Sequence, residues 1–162
     1  MAMVIAFLMT SAYPQQDRGK AELKSPGGTI VVDYGRPQLK GRDPLTWQQD
    51  GTYWRMGMND ITAFTTPVDL LFGSTKIAKG TYGLWLHKVS ADRYELVFNS
   101  QSTGMGMSHD KSNDIGSASM KMERAAKPVE LFTIDLAGAQ QGGAFVMTWG
   151  TTKLSTDFKI AR

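Results

Sequence analysis

The chain contains no cysteine. Disulfides, thiolate metal sites and thiol nucleophiles are therefore excluded outright, although that absence selects no compartment. Histidine is scarce too, with only His87 and His109 present among 162 residues. No apolar run approaches the ~20 residues that a membrane-spanning helix needs. Lys and Arg give a net charge of only +3 and are dispersed. They form no run dense enough to track a phosphate backbone, and the aromatics fall at strand spacing, which favours core packing over base stacking. A nucleic-acid partner is accordingly not expected. Several catalytic signatures are also missing: a Gly-x-Ser-x-Gly elbow, a His-Glu-x-x-His pair, a phosphate-cradling Gly loop ending in Lys-Ser/Thr, and a His-x-His pair.

What is present points to one domain with a hydrophobic core of its own. The 17 glycines, with many Val, Thr and aromatic residues, favour strands joined by tight turns. Ten methionines read as adaptable core or interface filler. The opening "MAMVIAFLMTSAYPQQ" resembles the apolar middle of a secretory leader and lacks only the positive n-region. Residues 1–12 are expected to be a signal peptide and 13–24 a polar linker, with the mature domain over 25–162 in the periplasm or outside the cell. The competing reading of the apolar start is an N-terminal strand.

No segment carries a helical period. Strand-like runs recur at Thr29–Tyr34, Ile61–Thr66, Val68–Phe72, Thr81–Val89, Asp92–Asn99, Ser117–Arg124, Val129–Leu136, Ala144–Gly150 and Lys153–Ile160. In several, one face is apolar: Ile30, Val32 and Tyr34; Ala118, Met120 and Met122; Leu154 and Phe158. That alternation is the mark of antiparallel sheets with one wet face. Thr81–Val89 and Asp92–Asn99 read as a hairpin around Ser90–Asp92. "LAGAQQGGA" and "GTT" read as turns between the last three strands. The expected architecture is all-β, an antiparallel sandwich of jelly-roll type.

Two loops, Gly35–Thr52 and Ser100–Gly116, are long for such a fold, and loops of that length are usually functional or disordered. The first carries Arg36, Lys40, Arg42 and Asp43; "YWRMGMNDIT" follows it with Trp54, Arg55, Asn59 and Asp60. Arg presents a planar fork of donors suited to a carboxylate, phosphate or sulfate. The alternative is that each cation pairs with an acid such as Asp33, Asp43, Asp60, Asp110 or Asp114 and staples a loop to the sheet. Trp47, Tyr53, Trp54 and Trp85 could form a platform for a sugar ring, Trp54 or Trp85 as its flat wall, with Asn59 and Asn99 supplying amide hydrogen bonds, or pack in the core. The second loop, "SQSTGMGMSHDKSNDIG", holds His109, Asp110 and Asp114. An imidazole beside carboxylates suits general acid–base work. The alternative for Asp110 is the capping of a turn. The donors in "HDKSND" lack the Gly-centred spacing of an EF-hand loop, so no metal and no cofactor is expected.

Taken together, Ser25-Pro26, Tyr34, Arg36-Pro37, Lys40-Gly41-Arg42, Trp54-Arg55, Gly57, Asn59, Thr62, Gly80-Thr81-Tyr82 and Phe98-Asn99 form an ordered pattern. It resembles a bacterial family known as domain of unknown function 2911, over nearly the whole mature chain. The resemblance implies an exported protein, commonly with a signal or lipoprotein leader, and no established activity. Without a cysteine, a lipid-anchored version is not supported. Trp85-Leu86-His87 departs from the pattern, where a more apolar strand end is expected.

Three functions follow. The first is a non-catalytic module binding a small oxygen-rich ligand, a sugar or an anion, at Arg36, Lys40, Arg42, Trp54, Arg55, Asn59, Asp60, Trp85 and Asn99. The second is a hydrolase of carbohydrate or ester using His109 with Asp110 or Asp114. The third is a structural domain whose motif residues form only an internal network.

Overall fold

A computed structural model describes residues 18–43 and 45–162; the expected leader and the first part of the linker lie outside them. The strands in chain order are β1 (Arg18–Ser25), β2 (Gly28–Gly35), β3 (Tyr53–Trp54), β4 (Ala63–Thr66), β5 (Leu70–Phe72), β6 (Thr75–Ile77), β7 (Gly80–Ser90), β8 (Arg93–Asn99), β9 (Asp114–Ala139) and β10 (Gly142–Ile160). They form one antiparallel hydrogen-bonded path, β1-β2-β4-β7-β8-β9-β10-β5-β6, with β3 added to β7. The all-β, antiparallel expectation holds. The ladder does not show a jelly-roll order. It is a single sheet in which β9 turns from one partner to the next: Asp114–Met120 pairs with β8 and Lys121–Ala139 with β10. Among the described residues, no helix is long and apolar enough to cross a membrane.

Three expectations are corrected. Residues 18–24, read as linker, belong to β1, which pairs with β2 along its whole length. Only Ala21 and Leu23 turn inward there, too few apolar positions to announce a strand. The runs 117–124 and 129–136 are one strand. Pro128 cannot donate to a ladder, but it falls between the Thr152↔Arg124 and Gly150↔Val129 pairs, in a bulge where no donor is needed. The "GTT" turn is likewise a bulge inside β10. Gly150 there has φ +59°, a conformation open to glycine. Met122, expected on the apolar face with Ala118 and Met120, is exposed, and the buried face of β9 resumes at Phe132 and Ile134.

The core follows the alternation. Ile30, Val32 and Tyr34 of β2 are buried, as are Phe64, Phe72, Phe98, Phe132, Phe145 and Phe158. Trp54 stacks on Trp149, and both meet Phe132 edge-on. The long first loop is drawn in by backbone pairing with β9. Leu39 N–H donates to Glu130 O, Phe132 N–H donates to Pro37 O, and Gln38 bridges to Leu131.

One feature of the central hairpin sets up the site. Leu84, Leu86, Leu96 and Phe98 face the main core, while Trp85 and Val97 on the opposite face form a second buried group with Ile61. This outer face is covered by the loop over 100–113. Gly83 permits the cover, because a Cβ there would stand 2.1 Å from the carbonyl oxygen of Gln101.

Candidate functional site: a cleft on the outer face of the central hairpin

The hairpin register places His87 directly opposite Glu95 and Trp85 opposite Val97. Side chains opposite one another in an antiparallel pair are near enough to interact. His87 Nδ1 and Glu95 Oε2 are accordingly 3.1 Å apart. With the carboxylate accepting, Nδ1 carries the proton and Nε2 of a neutral ring is an acceptor. On the other edge of β7, Tyr53 of β3 lies opposite His87. Its ring stacks on that imidazole at 4.3 Å between centroids and 5° between planes.

The other face of Tyr53 is covered by His109 from the long loop, at 3.7 Å and 12°. His109 also meets Trp85 edge-on, and its Nε2 donates to Asp114 Oδ1 at 2.8 Å. The Asn99 amide fixes this arrangement from below. Its Nδ2 donates to Asp114 Oδ1 and to Asp110 O, and its Oδ1 accepts from Gln101 N. Asn99 is 1% exposed, so those bonds are its whole polar environment. Asp110 caps the turn Lys111–Asn113 by accepting from the backbone N–H and hydroxyl of Ser112. Those bonds, the hydroxyl first, hold its carboxyl below the usual range.

A cleft of about 270 Å³ opens beside this stack, lined by Tyr53, His87, Glu95, Val97, Lys111 and Asp114 and by Ile115, Gly116 and Ser117. Each acid holds one oxygen in a fixed protein contact. Glu95 Oε1 and Asp114 Oδ2 have no hydrogen-bond partner among the described residues. The Tyr53 hydroxyl is pushed up from its ordinary pKa, by burial first and then by the charges of Asp114 and Glu95. It therefore remains a protonated donor across the neutral range.

The structure divides the sequence candidates among four places. Arg36 donates to Phe132 O and Thr133 Oγ1, and the Lys40 backbone N–H donates to Glu130 Oε1; both anchor the first loop on β9. Arg42 lines a separate shallow cleft with Leu39, Asp43 and Pro128. Arg55 donates to the carbonyls of Asn59 and Met105. It shares a hollow of about 260 Å³ with Trp54, Trp85 and Tyr53; the Trp85 indole N–H is buried without a hydrogen-bond partner among the described residues. Asn59 has φ +62° and Asp60 is exposed. Asn99, His109, Asp110 and Asp114 gather at the base of the second loop. None of the side chains of Arg36, Lys40, Arg42 and Arg55 pairs with an acid among the described residues; Asp33 pairs with Arg18 instead.

Of these candidates only Asp114 lines the main cleft, and His109 stands behind Tyr53 with its side chain 7% exposed. In the sequence Tyr53 stands out only as one of four aromatics that could form a sugar platform, Glu95 does not stand out, and His87 has no assigned role. Counting back from the Ser90–Asp92 turn would have set His87 opposite Glu95. Nothing in the sequence announces the stack on Tyr53, because β3 is only two residues long. Among the described residues, no group of three or more His, Asp or Glu is placed to hold a metal.

The family model described as "Protein of unknown function (DUF2911)" matches residues 17–158. No curated protein and no solved structure matches the chain.

Proposed function

The chain belongs to the DUF2911 family, and on that footing we propose that it is a binding module for a small oxygen-rich ligand, a sugar, seated in the cleft between Tyr53, His87, Glu95 and Asp114. The observation that carries this is the pair of free carboxylate oxygens, each held in place by its partner oxygen's contact. A carboxylate oxygen accepts readily from a hydroxyl, and a prearranged acceptor loses little entropy on binding. The Tyr53 and Ser117 hydroxyls add groups that donate and accept. An anion is disfavoured at this cleft, because its wall carries two carboxylates against one ammonium, Lys111. Arg36, Arg55 and Asn99 act in this account as loop anchors. A thermal-shift comparison of glucose, galactose, mannose and N-acetylglucosamine with glucuronate and phosphate tests it. The neutral sugars are expected to raise Tm and the anions to leave it unchanged. Stabilisation by phosphate alone would contradict it.

The hydrolase reading draws support from a different pair than the one the sequence suggests. His87–Glu95 lines the cleft, so its Nε2 is the imidazole nitrogen that could take a proton from a bound water. His109, sheathed by Tyr53 and Trp85, is placed as a brace. Turnover of nitrophenyl glycosides or esters that vanishes in His87→Ala, with sugar binding retained, would establish this reading over the first.

A further inference from the structure

Ser117 belongs to two clefts. Across β9 from the first lies another of about 290 Å³, lined by Phe72, Gly73, Ser74, Thr75, Ala118, Ser119 and Thr156 together with Ser117. The two are joined mechanically. Thr75 Oγ1 donates to Ser117 O at 2.8 Å, tying the turn between β5 and β6 to the edge of β9. Gly116, which lines the first cleft, packs so closely on Thr75 that a Cβ would come within 2.7 Å of Thr75 Cγ2.

The chemistry of the second cleft differs from that of the first. No ionisable side chain lines it. Its polar groups are the hydroxyls of Ser74, Ser117, Ser119 and Thr156, each able to donate and accept, and that of Thr75, which donates to Ser117 O and is left to accept. Such a wall offers a charged group no partner and offers a hydroxyl-bearing one several. Size points the same way. Each cleft alone falls below the ~300 Å³ lower end of small-molecule pockets, whereas the two together fall within the range.

We infer that the two clefts form one groove across β9, and that the ligand is a disaccharide or longer chain, with one ring between Tyr53 and Asp114 and the next against the hydroxyls of Ser74, Thr75 and Ser119. This rests on the sugar-binding reading of the first cleft and assigns the second as a neutral subsite. Selectivity then divides between them: the first cleft reads charge, and the second reads length.

Isothermal titration with matched pairs, glucose against cellobiose and N-acetylglucosamine against chitobiose, tests it. For the pair that binds, the dimer is expected to bind at least tenfold more tightly than the monomer. Ser74, in the turn between β5 and β6, is exposed, so Ser74→Trp fills the second cleft without disturbing the core or the first cleft. That variant is expected to retain monomer affinity and to lose the dimer's advantage. Equal affinities for monomer and dimer in the wild type, or an advantage that survives Ser74→Trp, would overturn the groove while leaving the first cleft as a sugar site. Binding of neither member of either pair would overturn both.

Discussion

The phenol ring of Tyr53 lies between two imidazoles, His87 at 4.3 Å and His109 at 3.7 Å, both nearly parallel to it. His87 belongs to the central hairpin and His109 to the long loop. A single residue of a two-residue strand therefore locks the loop to the sheet, and each imidazole is held in turn by a carboxylate.

Removing the outer imidazole should release the lock. His109→Ala uncovers one face of Tyr53 and leaves Asp114 without its 2.8 Å donor. Asp114 Oδ1 keeps its bond from Asn99 Nδ2, so a loss of about 1–3 kcal/mol is expected from the lost imidazole–carboxylate bond and the lost stack. Amide hydrogen exchange should accelerate at Ser100, Gln101, Ser112 and Asn113, whose N–H groups are bonded within the loop and its base, while the strands of the hairpin remain protected. Uniform acceleration across the sheet would mean that the loop is not a separate unit.

Arg36 is expected to matter for stability and not for binding. Its guanidinium donates to Phe132 O and Thr133 Oγ1, well away from the residues that line the cleft. Arg36→Ala should cost about 1.5–3 kcal/mol in chemical denaturation, the usual scale for hydrogen bonds from a charged group. Sugar affinity measured on the folded variant should match the wild type. A lost affinity with unchanged stability would return Arg36 to the role of ligand clamp.

The Asp110 turn gives a pH dependence of known sign. Its carboxyl is held low by the Ser112 hydroxyl and then by the Ser112 backbone N–H. A depressed folded-state value means that the carboxylate's contribution is complete above its unfolded pKa of about 3.9 and is lost as pH falls through the folded value. Ser112→Ala should raise the Asp110 titration midpoint toward the ordinary range, read by carboxyl carbon NMR. Stability above pH 5 should not respond through this group.

Much of the fold was legible in the sequence because one face of each strand is apolar. Ile30, Val32 and Tyr34, or Ala118 and Met120, declare their side without help from tertiary context. β1 was hidden because two inward residues do not make a pattern. The continuity of β9 and β10 was hidden because Pro128 and Gly150 look like punctuation where the structure uses them as bulges. The site was less legible than the fold for a physical reason. Arg36, Arg55 and Asn99 attract notice by their chemistry, yet their partners are groups of the loops and of β9 that no motif announces, some of them far away in sequence, as at Arg36 and Phe132. Tyr53, His87 and Glu95 are inconspicuous one by one and become a site only through register. The buried indole of Trp85 reflects the same limit, since alternation alone could not say that a loop would cover the outer face.

The most direct measurement is a ¹H–¹⁵N NMR titration with whichever sugar gives the largest thermal shift. Perturbed amides are expected at Tyr53, His87, Glu95 and Ile115–Ser117, with little change at Arg42 or along β1. Perturbations gathered instead around Arg42 and Pro128, or none with any sugar tested, would contradict the assignment of the cleft.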